Sequence, residues 1–167
     1  GKDVSERVER EHHLLEIASR DSLTGLYNRL AGSRMLDALI GEAQASGRPF
    51  SLILADLDHF KAINDSRGHQ AGDDALVAVG GILQAGIRGG DLAIRWGGEE
   101  FLILVPGCGI AQAMELAERL RTGVAGAQIA DAGPITVSLG VAQLAAGESA
   151  AALLQRADDA LYRAKSS

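Results

Sequence analysis

The stretch Leu92-Ala-Ile-Arg-Trp-Gly-Gly-Glu-Glu-Phe-Leu-Ile-Leu-Val105 decides the architecture. It reads as two apolar runs, Leu92 to Trp96 and Glu100 to Val105, with only Gly97, Gly98 and Glu99 between them. So short a connection joins antiparallel neighbours, and the paired glycines are expected to supply the positive φ angles of a tight hairpin turn. The turn then becomes a fixed platform for two adjacent carboxylates, Glu99 and Glu100.

Upstream, Phe50 to Ala55 is a short apolar run leading into acids, as expected of a buried central strand that delivers Asp56 to its end. Between this strand and the hairpin the pattern predicts a short helix near Lys61 to Asn64 and a longer one from about Ala71 to Ile87. Before it, Asn28 to about Ala45 reads as an amphipathic helix with Leu30, Met35, Leu36, Leu39 and Ile40 as its apolar face. Downstream come a helix from Ala111 to about Val124, a strand from Ile135 to Val141 and a terminal helix from Ser149 to Lys165, with Ser149 as N-cap. Helices covering one face of a mostly antiparallel sheet give an α+β fold with ferredoxin-like connectivity.

The segment from Lys2 to Arg20 is charged, free of Pro and Gly, and places Val4, Val8, Leu15 and Ala18 on one seam that Glu11 interrupts. Residues 1–20 are therefore expected to form a linker helix, either a solvated lead-in or a signalling coiled coil, and residues 21–167 the domain that follows it. A start at Gly1 rather than Met suggests a piece of a larger protein whose regulation lies upstream.

Composition narrows the function classes. The 167 residues suit one domain, and 47% hydrophobic against 4% aromatic residues predicts an aliphatic core. Scarce aromatics argue against stacking on single-stranded nucleic acid, and 16 basic against 22 acidic residues, net −6, argue against tracking a phosphate backbone. No nucleic acid polymer is expected as partner. Cys108 is the only cysteine, so a reducing, cytoplasmic setting is expected. No apolar run approaches the roughly 20 residues that span a bilayer, so this fragment is expected to make no direct membrane contact, with any anchor lying upstream.

Two acidic sites carry the chemistry: the strand end Asp56-Leu57-Asp58 and the turn Gly97-Gly98-Glu99-Glu100. If the hairpin pairs beside the first strand, their carboxylates converge at one edge of the sheet. Hard oxygen donors there suit Mg²⁺, which polarises a phosphoryl oxygen and lowers the pKa of a 3′-hydroxyl, with Glu99 placed to take that proton. Taken alone, either cluster also fits a solvated loop.

Four connected motifs give the chain a resemblance to the GGDEF family of diguanylate cyclases, in its Gly-Gly-Glu-Glu-Phe variant, from about Asp21 to the last residue. They are Asp21-Ser-Leu-Thr-Gly-Leu-Tyr-Asn-Arg29; Asp56-Leu-Asp-His-Phe-Lys-Ala-Ile-Asn-Asp65 running on to Gly68-His69 and Gly72-Asp73; Arg95-Trp-Gly-Gly-Glu-Glu-Phe101; and Ala157-Asp-Asp-Ala-Leu-Tyr-Arg-Ala-Lys165. The resemblance implies a polymerase-palm-like, nucleotidyl-cyclase fold, a mostly antiparallel central sheet surrounded by helices. It implies condensation of two GTP into cyclic di-GMP and two pyrophosphates across a homodimer.

Position by position, the resemblance implies that Asp56, the Leu57 carbonyl and Glu99 bind two divalent ions per subunit, Mg²⁺ or Mn²⁺, with Glu100 in support and Glu99 as proton acceptor. It places Asn64 and Asp73 on the guanine edge, with His69 also at a substrate position. Lys61 is implied near the triphosphate, with the His59 and Phe60 amides on the outer phosphates. Gly97, Gly98 and Lys165 complete the substrate-binding set. Each has a plainer alternative: Asn64 as a helix end, Lys61 as a surface charge, Asp73 as a first-turn acid favoured by the helix dipole. Asp21 to Arg29 is expected to brace the site without catalytic duty.

Arg88 and Asp91 stand in the family's Arg-x-x-Asp position, where such proteins bind their own product and are inhibited, and Arg119 matches an arginine that joins this site from another subunit. The competing reading is an ion pair at a helix end. The family pattern also continues past the terminal lysine with Gly and a phosphate-contacting Arg, whereas this chain stops at Ser166 and Ser167, so weakened GTP binding is expected of the fragment. Two rival functions follow: a weak or inactive cyclic di-GMP or GTP receptor, which would have no need of the metal acids, and a cyclase with a mixed or mononucleotide product, against which Asp73 argues.

Overall fold

A computed structural model describes residues 6, 7, 10, 18–129 and 132–166. In chain order the elements are α1 (Arg29–Ser46), β1 (Phe50–Leu57), α2 (Phe60–Arg67), α3 (His69–Gly86), β2 (Leu92–Arg95), β3 (Glu100–Pro106), α4 (Ile110–Ala125), β4 (Val137–Gln143) and α5 (Ala150–Ser166). The seam expected over residues 1–20 lies largely outside the described residues. Among the described residues no helix is long and apolar enough to cross a membrane.

The four strands form one sheet in the order β2-β3-β1-β4, every pairing antiparallel. Strands and helices alternate as in a ferredoxin-like split βαβ, which confirms the α+β class. Helices cover both faces, not one. Alternation along the strands sends Ile53, Ala55, Leu57, Phe101, Ile103 and Val105 toward α3 and α4, where Leu76, Val79, Leu83, Leu116, Leu120 and Val124 complete one core layer. The opposite parity, Leu52, Leu54, Leu102 and Leu104, packs on Leu36 and Ile40 of α1 and on Leu153, Ala157 and Leu161 of α5. Unbroken apolar runs in β1 and β3 are what a sheet buried on both sides requires.

Helix ends follow local chemistry. The Asn28 side chain accepts from Ala31 N at 2.9 Å to start α1, and Gly47 closes it in the left-handed region at φ 73°. Ser149 Oγ accepts from Ala152 N at 3.1 Å, so it caps α5 as expected. Leu30 is 60% exposed and does not belong to the apolar face of α1; one residue into the helix, it points away from the sheet that Leu36 and Ile40 reach.

One backbone approach fixes where α5 ends. A Cβ on Gly140 of β4 would collide with Ala157 O and Leu161 N, so glycine lets α5 lie directly on the strand. Ala157, Leu161 and Lys165 share that face at steps of four, which carries the Lys165 ammonium to the acidic end of the sheet.

Candidate active site

Strand register builds the site. Asp56 stands opposite Glu100 on β3 and opposite Ser138 on β4, and Leu57 N donates to Glu99 O at 3.2 Å. Directly opposed residues share a face, so Asp56 and Glu100 continue the row that faces α1 and α5. Lys165 arrives from α5 on that face: its Nζ lies 3.3 Å from Asp56 Oδ1 and 3.1 Å from Asp58 Oδ1.

The turn is not the one the glycines suggested. Neither Gly97 nor Gly98 has a positive φ. Instead Trp96 N and Gly97 N both donate to Glu100 O, at 2.9 and 3.1 Å, two residues facing one as in a bulge. A Cβ at Gly97 would lie 3.0 Å from Glu100 Oε1, so the glycine leaves that carboxylate room to turn, while Gly98 faces open space.

The strained backbone lies elsewhere, at His59, the only non-glycine residue at positive φ (57°) among the described residues. This left-handed residue precedes α2 and offers no side-chain cap, so the first amides of the helix stay available beside the acids. Lys61 is exposed in that first turn. Asn64, half-buried in α2, lies over Gly72 of α3, where any Cβ would meet its Oδ1. His69 and Asp73 are exposed in the first turns of α3, so the expected base-binding residues gather where α2 meets α3 across Gly68.

Charge is unevenly shared. Burial first, and then the charge of Asp56, push the Glu99 and Glu100 carboxyls above their ordinary range. Burial likewise raises Asp56, with Lys165 pulling the other way. Asp58 moves down: burial opposes, but hydrogen bonds from Thr136, Ser138 and Lys165 outweigh it. Burial also disfavours the Lys165 ammonium, yet its bond to Asp58 and the charge of Asp56 leave it raised.

This donor set fits a divalent ion. Asp56 lies near enough to raise the proton affinity of Glu99 and Glu100, and the Lys165 ammonium already sits beside Asp56. Among the described residues no three His, Cys, Asp or Glu side chains cluster tightly enough to hold a metal alone. An ion here would draw on two carboxylates and the Leu57 carbonyl, leaving positions for water and phosphate as Mg²⁺ prefers.

Bracing comes from the first motif. Asp21 accepts from Thr24 N at 2.8 Å and Thr24 Oγ1 at 2.7 Å, and Arg95 Nη1 reaches both its oxygens at 3.2 Å. Arg95 Nη2 donates to Gly98 O at 2.9 Å, one residue before Glu99. Arg29 stacks over the Trp96 ring at 4.3 Å and donates to Trp96 O.

The family described as "Diguanylate cyclase, GGDEF domain" matches residues 18–167. The chain belongs to this family. It is 42% identical over 163 residues to diguanylate cyclase DgcM of Escherichia coli, covering 98% of this chain and 40% of the relative. It is 42% identical over 161 residues to response regulator PleD of Caulobacter vibrioides, covering 93% of this chain and 36% of PleD. The chain thus spans about two fifths of the length of these relatives. Among solved structures, the coiled coil and GGDEF domain of DgcB from Caulobacter crescentus in complex with c-di-GMP superposes with TM-score 0.91 at 33% identity, over 99% of this chain and 90% of that one. The active GGEEF domain of a Vibrio cholerae diguanylate cyclase gives 0.80 at 34% identity, over 84% and 92%.

Away from the acidic edge, Arg88 and Asp91 form the ion pair of the plainer reading: Arg88 Nε and Nη2 donate to Asp91 Oδ2 and Oδ1 at 3.1 and 2.9 Å. Asp91 is buried while half of the Arg88 side chain, 52%, is exposed. Arg119 donates to Gly86 O at 3.3 Å, near the same helix end. Sequence reasoning named Asp58 in the acidic strand end and Arg95 in the third motif without giving either a role, and it missed Thr136 and Ser138, which carried no local signal.

Proposed function

We propose that this domain condenses two GTP molecules into cyclic di-GMP and two pyrophosphates, each subunit of a homodimer holding one GTP. The observation that carries the reading is the register pair Asp56–Glu100 with the Leu57 N to Glu99 O bond, which brings the two acidic motifs to one sheet edge. Asp56, the Leu57 carbonyl and Glu99 hold two divalent ions, Mg²⁺ or Mn²⁺, with Glu100 in support. Bound there, the ions supply Lewis-acid polarisation of the α-phosphate and activation of the 3′-hydroxyl.

Glu99, whose proton affinity burial raises, accepts the 3′-hydroxyl proton. Lys61, Lys165 and the amides at His59 and Phe60 hold the phosphates. Asn64 and Asp73 bond the guanine edge with His69 beside them, and a base that leaves such groups unpaired is rejected. Arg88, Asp91 and Arg119 form a product-binding inhibitory site; support comes from relatives solved in complex with c-di-GMP.

The division near residue 20 into linker helix and catalytic domain is part of the proposal. The DgcB GGDEF domain alone covers 89% of this chain and the coiled-coil form 99%, a difference about equal to the opening segment. A cytoplasmic setting is part of the same proposal; the single, buried Cys108 leaves no internal disulfide that would call for an oxidising compartment.

The deciding experiment incubates the chain with Mg²⁺ and GTP at several protein concentrations, beside Glu99→Gln. Cyclic di-GMP that rises more steeply than protein concentration and is absent in the variant supports the reading. GTP binding without product, persisting in Arg88→Ala, points to a receptor instead.

A further inference from the structure

Asp58, to which the proposed reaction gives no role, is held by Thr136, Ser138 and Lys165. Its N–H donates to Thr136 O at 3.0 Å, its Oδ2 accepts from Thr136 Oγ1 at 2.7 Å, and its Oδ1 accepts from Ser138 Oγ at 2.7 Å and Lys165 Nζ at 3.1 Å. These partners come from the approach to β4, from β4 itself and from the last turn of α5. Asp56, two residues earlier, has Lys165 as its side-chain partner.

The two aspartates therefore differ in what they can still do. Both oxygens of Asp58 are engaged by fixed donors, which makes it a poor ligand for an incoming ion. Asp56 remains open once Lys165 lets go. Lys165 is the mobile partner, a long side chain 34% exposed, and two of its three N–H donors are spent on these carboxylates.

We propose that Asp58 is a positioning residue that tethers Lys165 in the GTP site. The inference rests on the cyclase reading. With a cation at Asp56, the Lys165 ammonium would be repelled and their 3.3 Å contact would be lost. A lysine held only there would swing into solvent, recovering side-chain entropy. The Asp58 bond keeps it at the sheet edge. There the freed donor faces the groove of about 610 Å³ lined by His59, Thr136, Ser138 and Arg121, ready for a phosphate oxygen. The hydroxyls of Thr136 and Ser138 hold the carboxylate still, so the tether has a fixed end.

The test is a double-substitution cycle of Asp58→Asn and Lys165→Ala. It reads KM and kcat for cyclic di-GMP formation and, with Mg²⁺ and 3′-deoxy-GTP, which lacks the reacting hydroxyl, equilibrium nucleotide binding by calorimetry. Loss of one charge-assisted bond predicts a rise of about tenfold in KM and in the nucleotide Kd for each single variant, with kcat changed by less than about threefold. Because Asp58 acts through Lys165, the double variant should be no worse than the worse single one. Ser138→Ala, which keeps the carboxylate but loosens it, should raise KM by a smaller factor and stands in if Asp58→Asn does not fold. Multiplying effects, an unchanged nucleotide Kd in Asp58→Asn, or a kcat loss with an altered Mg²⁺ requirement would overturn the tether, the last by making Asp58 a metal ligand. Wild-type nucleotide binding without turnover of GTP sinks the cyclase reading while the binding cycle still decides the tether; no nucleotide binding by the wild type overturns both.

Discussion

Arg95 Nη1 contacts both carboxylate oxygens of Asp21 at 3.2 Å, across 74 residues of sequence. The same guanidinium holds Gly98 O, so the turn after the linker and the turn bearing Glu99 share one anchor. Asp21→Asn should lower stability by about 1 kcal/mol, since the pair is partly exposed and a charged hydrogen bond there is worth less than a buried one. It should also lower kcat by loosening the Gly98 loop. Denaturant midpoints and steady-state rates on the same preparation check both.

Acid should undo this anchor. Burial acts to raise the Asp21 carboxyl, but hydrogen bonds from Thr24 and the Arg95 charge leave it below the ordinary carboxylate value. A group depressed in the folded state contributes stability that is fully present above its unfolded pKa, about 3.9, and is lost as pH falls through the folded value. Stability measured from pH 5 downward should fall more steeply in the wild type than in Asp21→Asn. Parallel curves would show that Asp21 carries no linked stabilisation.

The acids of the candidate site should behave the opposite way. Asp56, Glu99 and Glu100 are raised, so the folded state holds their protons more tightly and stability without metal declines as pH climbs through and above the ordinary carboxylate range. Removing one of these charges should stabilise the metal-free domain. Glu99→Gln is expected to gain roughly 0.5–2 kcal/mol, the usual size of a single stabilising change, and to lose the thermal shift that Mg²⁺ gives the wild type. Thermal melts at neutral pH with and without Mg²⁺ give both numbers.

Gly140→Ala tests how α5 reaches the site. Its Cβ would strike the backbone at Ala157 and Leu161, which no rotamer change relieves, so α5 must shift outward. A loss of about 1–3 kcal/mol is expected, with a raised KM for GTP because Lys165 moves with the helix. Unchanged melting would mean that α5 packs more loosely on β4 than the structure shows.

Motifs and strand order were legible because each rests on local pattern: apolar runs for β1 and β3, a short turn between β2 and β3, acids at their ends. The reason for Gly97 and Gly98 was misread, since a hairpin glycine suggests positive φ and neither has one; an added Cβ would approach Glu100 Oε1 at Gly97 and meet open space at Gly98. Leu30 fitted a helical stripe, but a residue at a helix start can point past the sheet. Ser138 had no local signal at all; a serine in a strand becomes a partner of Asp58 only once β4 pairs with β1.

Arg88 faces two demands, holding Asp91 and binding product, and a single variant separates them. Asp91 is buried and keeps the Arg88 backbone N–H at 3.0 Å whatever the side chain, so Arg88→Ala leaves the carboxylate one donor while stripping its charge partner. A loss of about 1.5–3 kcal/mol is expected for hydrogen bonds to a charged group. If Arg88 also forks a product phosphate or guanine edge, the variant loses inhibition by added cyclic di-GMP at least tenfold while its initial rate with GTP stays near wild type. Asp91→Asn is the control, because it frees Arg88 without removing the guanidinium. Inhibition retained in Asp91→Asn and lost in Arg88→Ala assigns the contact to the arginine, whereas inhibition unchanged in both leaves the pair as a structural clasp at the end of α3.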